Sequence, residues 1–262
     1  KDIFVMAEFD RPTIAAQRAG TAAAIDEGLR SYMLKVYNYM GIGLVVTGLV
    51  AYFGNAMATT TDSAKAAAQL ANGEYLTQWG VLLYTSPLMW VIAFAPLAFV
   101  LVLSFGINKL SAGTAQILFW VFAAVMGLSL SSIFMVYTDA SIAKVFFISA
   151  ATFGAMSLYG YTTKRDLTSI GNFLIMGLIG LIIASIVNIF LASSMLDFAI
   201  SAIGVLIFVG LTAYDTQRIK ESYDEGHGAE VLQKTAVMGA LSLYLDFINL
   251  FMMLLRLFGN RE

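Results

Sequence analysis

The sequence predicts an all-α membrane protein with seven transmembrane helices, and two observations carry that prediction. The 262-residue chain is 59% hydrophobic and only 12% charged, whereas a soluble domain carries roughly 25% charged residues. Apolar runs long enough for a helix to cross a hydrocarbon layer of roughly 30 Å also recur from Leu34 to Phe258, separated by polar breaks.

Residues 1–33 are polar and carry both signs of charge. They lack the basic start and apolar centre of a cleavable signal peptide, so the run from Leu34 is expected to act as the first insertion signal. Seven spans follow: Leu34–Phe53, Leu83–Phe105, Thr114–Tyr137, Ile142–Tyr161, Asn172–Ala192, Ala199–Thr216 and Ala236–Phe258. The sixth is the shortest and is expected to extend into its polar flank. Residues 34–258 thus form one transmembrane domain, with 259–262 as a C-terminal tail. Two connections are long: Gly54–Leu82, rich in Ala and Thr, and the charged Gln217–Thr235. No long-period repeat and no soluble domain is evident.

Lysine and arginine counts orient the spans. With the N-terminus in the cytoplasm, only Lys65, Lys144, Arg256 and Arg261 of the 15 basic residues lie outside. Seven spans then put the C-terminus outside, although Arg256 and Arg261 flank the last span. A re-entrant last segment, with the C-terminus inside, is the competing topology.

Pro87 sits near the start of the second span, where a missing N–H matters little. Pro96 lies mid-span, frees the carbonyl of Ile92 and is expected to kink the helix, as a static bend or as a hinge. Gly41, Gly43 and Gly48 in the first span, and Gly177, Gly180 and Ala184 in the fifth, are expected to let helix backbones approach closely.

The residues that interrupt this apolar pattern carry the chemistry. Asp215 ends the run Leu206-Ile-Phe-Val-Gly-Leu-Thr-Ala-Tyr-Asp, and Asp246 lies mid-way along the last span. A carboxylate at the bilayer centre costs about 2.5–3.5 kcal/mol on insertion scales, so it faces the protein interior, water or a partner. Gly239, Ser242, Asp246, Asn249, Met253 and Arg256 follow spacings of three and four, which draws one polar stripe on an otherwise apolar helix. That stripe belongs in the bundle interior. Asp215 also has a plainer reading, an interfacial carboxylate paired with Arg218 three residues on. If the two aspartates meet, they cannot both ionise cheaply in a low dielectric, and they titrate as a unit. Proton and Ca²⁺ would then compete for the same oxygens. Asn188 and Ser185 in span five, Ser129, Ser131 and Ser132 in span three, and Asn38 and Tyr39 in span one are further polar groups. Interhelical bonding is the expected role of each.

Other chemistries are excluded or unsupported. The chain has no cysteine, which rules out disulfides and thiolate sites. Its single histidine, His227, supports neither a metal cluster nor a triad. The acidic loop of Glu221, Asp224, Glu225 and Glu230 misses the ligand spacing of an EF-hand. No phosphate loop, basic nucleic-acid patch or Schiff-base lysine in the last span is present. The expectation is a non-enzymatic protein without a resident cofactor, whose partners are the lipid bilayer, protons and calcium, with no nucleic acid.

Leu211-Thr-Ala-Tyr-Asp-Thr-Gln-Arg-Ile219 and Ala240-Leu-Ser-Leu-Tyr-Leu-Asp-Phe-Ile-Asn-Leu-Phe251 resemble the signatures of the Bax-inhibitor family, also called the transmembrane Bax inhibitor motif family. The resemblance extends over 86–259, including Gly127-Leu-Ser-Leu-Ser-Ser132 and Ser157-Leu-Tyr-Gly-Tyr-Thr-Thr-Lys-Arg-Asp166, and is strongest toward bacterial members. It implies a bundle in which six helices surround the seventh, with Asp215 and Asp246 paired as a pH-sensitive latch and metal-binding pair on a calcium leak path. On the residue reading above, Ser242, Asn249, Asn188 and Arg218 are the polar groups that could support such a path, and Pro96 could be its hinge. The resemblance further implies a bacterial inner membrane, a role in stress-induced cell death and control of a membrane protease. A non-conducting regulator and a proton-coupled calcium antiporter are the other expectations. One departure stands out: some members carry a basic residue in the second helix that engages the aspartates when closed, and Leu83–Phe105 contains none.

Overall fold

The computed structural model describes residues 10–69 and 75–261, with side chains described from Glu27 onward. Lys1 and the side chains of Arg11 and Arg18, used above for orientation, lie outside the described residues.

Helix α1 spans Asp10–Ala58, and its membrane-crossing portion is Glu27–Ala58. The connection that follows is not the plain loop expected from its composition. It holds β1 (Thr59–Thr60), β2 (Ala68–Gln69) and β3 (Tyr75–Leu76), antiparallel in the order β1-β3-β2. A short helix α2, Gln78–Tyr84, comes next. Its N-cap Thr77 accepts from Gly80 N–H at 3.1 Å and donates to the Met57 carbonyl at 2.7 Å, which fastens α2 to the end of α1.

The second span therefore starts later than the sequence suggested. Leu83 belongs to α2, and Thr85-Ser86-Pro87 separates it from α3 (Leu88–Gly106). Pro87 is the N-cap residue, and α3 runs through Pro96 without a break. Helix α4 is Ala112–Leu130, continued by a 3₁₀ turn over Ser131–Met135. Helices α5 (Asp139–Thr162), α6 (Thr168–Leu191), α7 (Ser194–Glu221) and α8 (Ala229–Phe258) complete the bundle. Ser111, Thr138 and Ser193 cap α4, α5 and α7 through their side-chain oxygens. Among the described residues seven helices are long and apolar enough to cross a membrane, so the chain is an all-α, multi-pass membrane protein. Helix α7 reaches well into its polar flank, as its short apolar run required. Helix α8 is unbroken over 30 residues, about 45 Å at 1.5 Å per residue. It has no break of the kind a re-entrant segment needs.

The last helix is the axis of the bundle. In its most apolar stretch 67% of residues are buried, against 6% in α6, so α8 faces protein and α6 faces lipid. Helix α8 packs on α1, α4, α5 and α7. Tyr244 is fully buried between Phe119 and Phe122, with edge-to-face ring centroids at 5.9 and 5.2 Å. A buried phenol needs a partner, and its hydroxyl meets Thr47 Oγ1 at 2.6 Å while Thr47 donates to the Ala123 carbonyl at 2.8 Å. One polar thread thus joins α1, α4 and α8.

The close helix approaches do not all use the glycines singled out above. A Cβ on Gly43 would meet Phe119 at 2.9 Å, and one on Gly177 would meet Ile207 at 3.3 Å, but Gly41, Gly48 and Gly180 have nothing within 4 Å. Among the long helices, backbone meets backbone instead at Gly127 under the Thr47 carbonyl, at 2.6 Å from an added Cβ, and at Gly160 against the Ala213 carbonyl.

Candidate functional site

Helix α3 packs on α4, and α6 packs on α7, but neither is a principal neighbour of α8. The space left between them is a cavity of about 730 Å³. Its far wall is the polar stripe of α8, contributed by Ser242, Asp246, Asn249 and Met253. Pro96 and Leu97 of α3, Ser129 of α4, Ser185 of α6, and Asp215 and Arg218 of α7 line the other sides. The carboxylates that seemed to lie at different depths share this chamber, because α7 continues to Glu221 antiparallel to α8 and Asp215 falls within that helix.

Asp246 is 5% exposed, and its Oδ2 has no hydrogen-bond partner within the protein. A buried carboxylate oxygen without a donor is expensive, so this atom is where the chamber is chemically incomplete. Asp215 and Asp246 both line this chamber. Arg218 supplies the positive charge missing from α3. Its guanidinium lies 3.1 Å from Asp215 Oδ1 and donates to Ser242 Oγ at 3.3 Å. The plain reading of Asp215, an ion pair with Arg218, is therefore present, and the same arginine also reaches α8. Tyr214 supports it, with its ring 5.6 Å from the guanidinium carbon. Among the described residues no other basic side chain lines the chamber.

The residues around Asp215 each have a structural task. Tyr214 packs on Gly171, where a side chain would collide with its ring. Thr216 meets Ser157 at 3.0 Å, and Ile219 lies against Gly239. Gln217 accepts from Leu167 N–H and donates to the Arg165 carbonyl, both at 2.8 Å, so α7 holds the α5–α6 turn. Sequence reasoning missed this clamp, although a buried glutamine in an apolar helix was its signal. Gly239 therefore packs against α7 and is not part of the chamber wall.

Asn188 is also not part of it. It lines a separate cavity of about 380 Å³ with Tyr137, Asp197, Arg256 and Arg261, and its Oδ1 accepts from Ser193 N–H at 3.0 Å. One turn beyond Ser185, it closes the end of α6, where Ala192 takes a left-handed conformation at φ 48°. Arg256 lies 3.8 Å from Asp197, and Arg261 lies over the Tyr137 ring at 5.8 Å. These two arginines thus have protein partners at the end of the last span. Tyr84 donates to Ser131 and Tyr39 to Gln116 between elements, as expected of interhelical bonding, whereas Ser131 also donates to the Leu128 carbonyl and Ser185 to the Leu181 carbonyl within their own helical runs.

Comparison with known proteins identifies the family. The family model described as inhibitor of apoptosis-promoting Bax1 matches residues 29–262. The chain belongs to this family. Inner membrane protein YbhL of Escherichia coli (strain K12) is 49% identical over 90% of this chain and 94% of its own length. An uncharacterized protein of Rickettsia prowazekii (strain Madrid E) is 51% identical over 90% and 92%, and one of Caulobacter vibrioides is 48% identical over 95% and 96%. This Bax-inhibitor-family chain thus spans nearly the whole of those relatives, including both signature helices.

Proposed function

We propose that the chamber makes this protein a pH-regulated leak path for cations, calcium among them, in a bacterial inner membrane with the N-terminus in the cytoplasm. The observation that carries the reading is the charge balance of the chamber: two carboxylates, one guanidinium, and a buried carboxylate oxygen without a donor. With one proton on the pair, the chamber is neutral and Arg218 holds α7 to α8 through Asp215 and Ser242. With both carboxylates ionised, it carries one uncompensated negative charge, which draws in a cation. Proton and cation compete for that site, so flux rises with pH. The name of the relative YbhL supports the inner-membrane location.

The chemistry favours passage over storage. Calcium takes six to eight oxygen ligands. The chamber offers Asp215, Asp246, the Ser242 hydroxyl and the Asn249 amide, whose nitrogen is engaged by the Leu245 carbonyl at 2.8 Å. Water must complete the shell, which suits a permeating ion. A passive path also needs no covalent step, so the reading is non-enzymatic.

The test is calcium entry into indicator-loaded liposomes containing pure protein, at acidic and alkaline pH. The parent should pass more calcium at alkaline pH. Asp246→Asn should lose most of that flux or its pH dependence, a change of about tenfold for an interaction of about 1.4 kcal/mol. His227→Gln, which alters the single imidazole, should keep the parent response. Asp166 is also set apart. Its hydrogen bond from Thr168 holds its carboxyl below the ordinary carboxylate range, so its contribution is present above that range and is lost only on stronger acidification. A flat pH response in folded protein sinks the proposal and moves the reading to a non-conducting regulator of a membrane protease. Calcium driven uphill by a proton gradient moves it to an antiporter.

A further inference from the structure

A second cavity lies on the other side of the bundle, away from the aspartates. Helices α1 and α5 both pack on α8 but are not close neighbours of each other, and the crevice between them measures about 600 Å³. Its floor is buried Met33, Phe153 and Ser157, and its rim is exposed Leu34 and Leu158. At the floor one hydroxyl chain spans the gap, from Tyr37 to Ser157 at 2.5 Å and on to Thr216 at 3.0 Å. The walls are otherwise apolar, and the crevice opens on the outer surface of a helical bundle that crosses a membrane.

Gly154 keeps it open. It lies in the middle of α5, where glycine costs about 1 kcal/mol relative to alanine, and an added Cβ there would meet nothing within 4 Å. The backbone therefore does not need glycine for a close helix approach. What the missing side chain leaves is room.

The mouth is basic. Arg30 lines the cavity one turn into the membrane-crossing part of α1 and forms no ion pair among the described residues, with Glu27 on the preceding turn included. Tyr161 lines the same end. Lys220 donates to its carbonyl at 2.8 Å and lies 5.2 Å from its ring centroid. An arginine and a tyrosine at the end of an apolar crevice, with a lysine behind the tyrosine, place positive charge and an amphipathic ring at headgroup level. Basic pockets between transmembrane helices match anionic headgroups.

We propose that the α1–α5 crevice is a binding site for an anionic phospholipid, with one acyl chain lying over Gly154 and the phosphate on Arg30. The charge complementarity fixes the headgroup end, and the open space at Gly154 fixes the course of the chain. The site is independent of the aspartate chamber and of any ion flux.

The chain has no cysteine, so Leu158→Cys gives a single attachment point for a benzophenone probe at the rim. The labelled full-length protein is placed in nanodiscs of phosphatidylglycerol and phosphatidylcholine in equal amounts and irradiated. Lipid adducts should favour phosphatidylglycerol by about tenfold, the ratio produced by about 1.4 kcal/mol of differential binding. Arg30→Gln should bring that ratio near one while acyl adducts persist. Gly154→Leu, whose Cβ meets no protein atom within 4 Å, should remove most lipid adducts and leave thermal stability in place. Native mass spectrometry of the unlabelled protein should show the same order of phosphatidylglycerol retention. Adducts to the protein's own residues 1–26 or to a second copy would overturn the proposal, as would equal labelling by both lipids in the parent. So would a Gly154→Leu variant that folds and still labels like the parent.

Discussion

Arg218 is the residue on which the chamber turns. Among the described residues it is the one positive charge lining the chamber with two carboxylates, and it spans from α7 to Ser242 on α8. Arg218→Gln removes both the latch and the repulsion of an entering cation. Calcium flux into liposomes should exceed the parent by about tenfold, corresponding to about 1.4 kcal/mol, at acidic as well as alkaline pH, because the singly protonated pair is then left with one uncompensated negative charge. Arg218→Lys keeps the charge without the planar fork and should fall between them. The sequence made the two aspartates visible because a carboxylate in an apolar run has few physical excuses. It made Arg218 visible only as a neighbour three residues from Asp215. The contact with Ser242 depends on the register of two antiparallel helices, which no local pattern encodes. Asn188 shows the converse limit, since a polar residue at helical spacing from Ser185 turned out to close a helix end.

Among the elements, α5 and α7 show how backbone proximity is set. Gly160 lies so close to the Ala213 carbonyl that an added Cβ would collide with backbone, and backbone yields poorly. Gly160→Ala should therefore lower the thermal stability of the detergent-solubilised protein, by about 1–3 kcal/mol as overpacking does. The same change at Gly41, where nothing lies within 4 Å, should be neutral or stabilising by up to about 1 kcal/mol through helix propensity. A melting series of the two variants separates these outcomes. The sequence analysis singled out Gly41 and passed over Gly160, because small residues in apolar helices look alike until the partner helix is in place. Apolar length found all seven spans, but it began the second inside α2 and the first and last short of their helix starts. It missed the small sheet and α2, whose two-residue strands are too short to show a period.

At the scale of the molecule, one helix holds the others. The rings of Phe119 and Phe122 and the hydroxyl of Thr47 converge on Tyr244. Tyr244→Phe leaves Thr47 its bond to Ala123 and should cost about 1 kcal/mol. Tyr244→Ala opens a void at the axis and should cost about 3–5 kcal/mol. Thermal melts in detergent check both, and similar melting of the two variants would show that the axis is not where stability is concentrated. The central position of α8 was legible in outline, because a helix with one polar stripe and otherwise apolar faces belongs inside.

That central position has a consequence for how the protein is made. A ribosome delivers helices in chain order, and α8 emerges after every helix it packs against. The earlier six spans must therefore wait in the bilayer around an unfilled centre, with Thr47, Phe119 and Phe122 lacking their partner. The bundle cannot close early without locking its own axis out. Of the seven spans, the carboxylate-bearing helix is thus the last to be delivered, and the chamber beside it lies on the side of α3 and α6, which are not its principal neighbours.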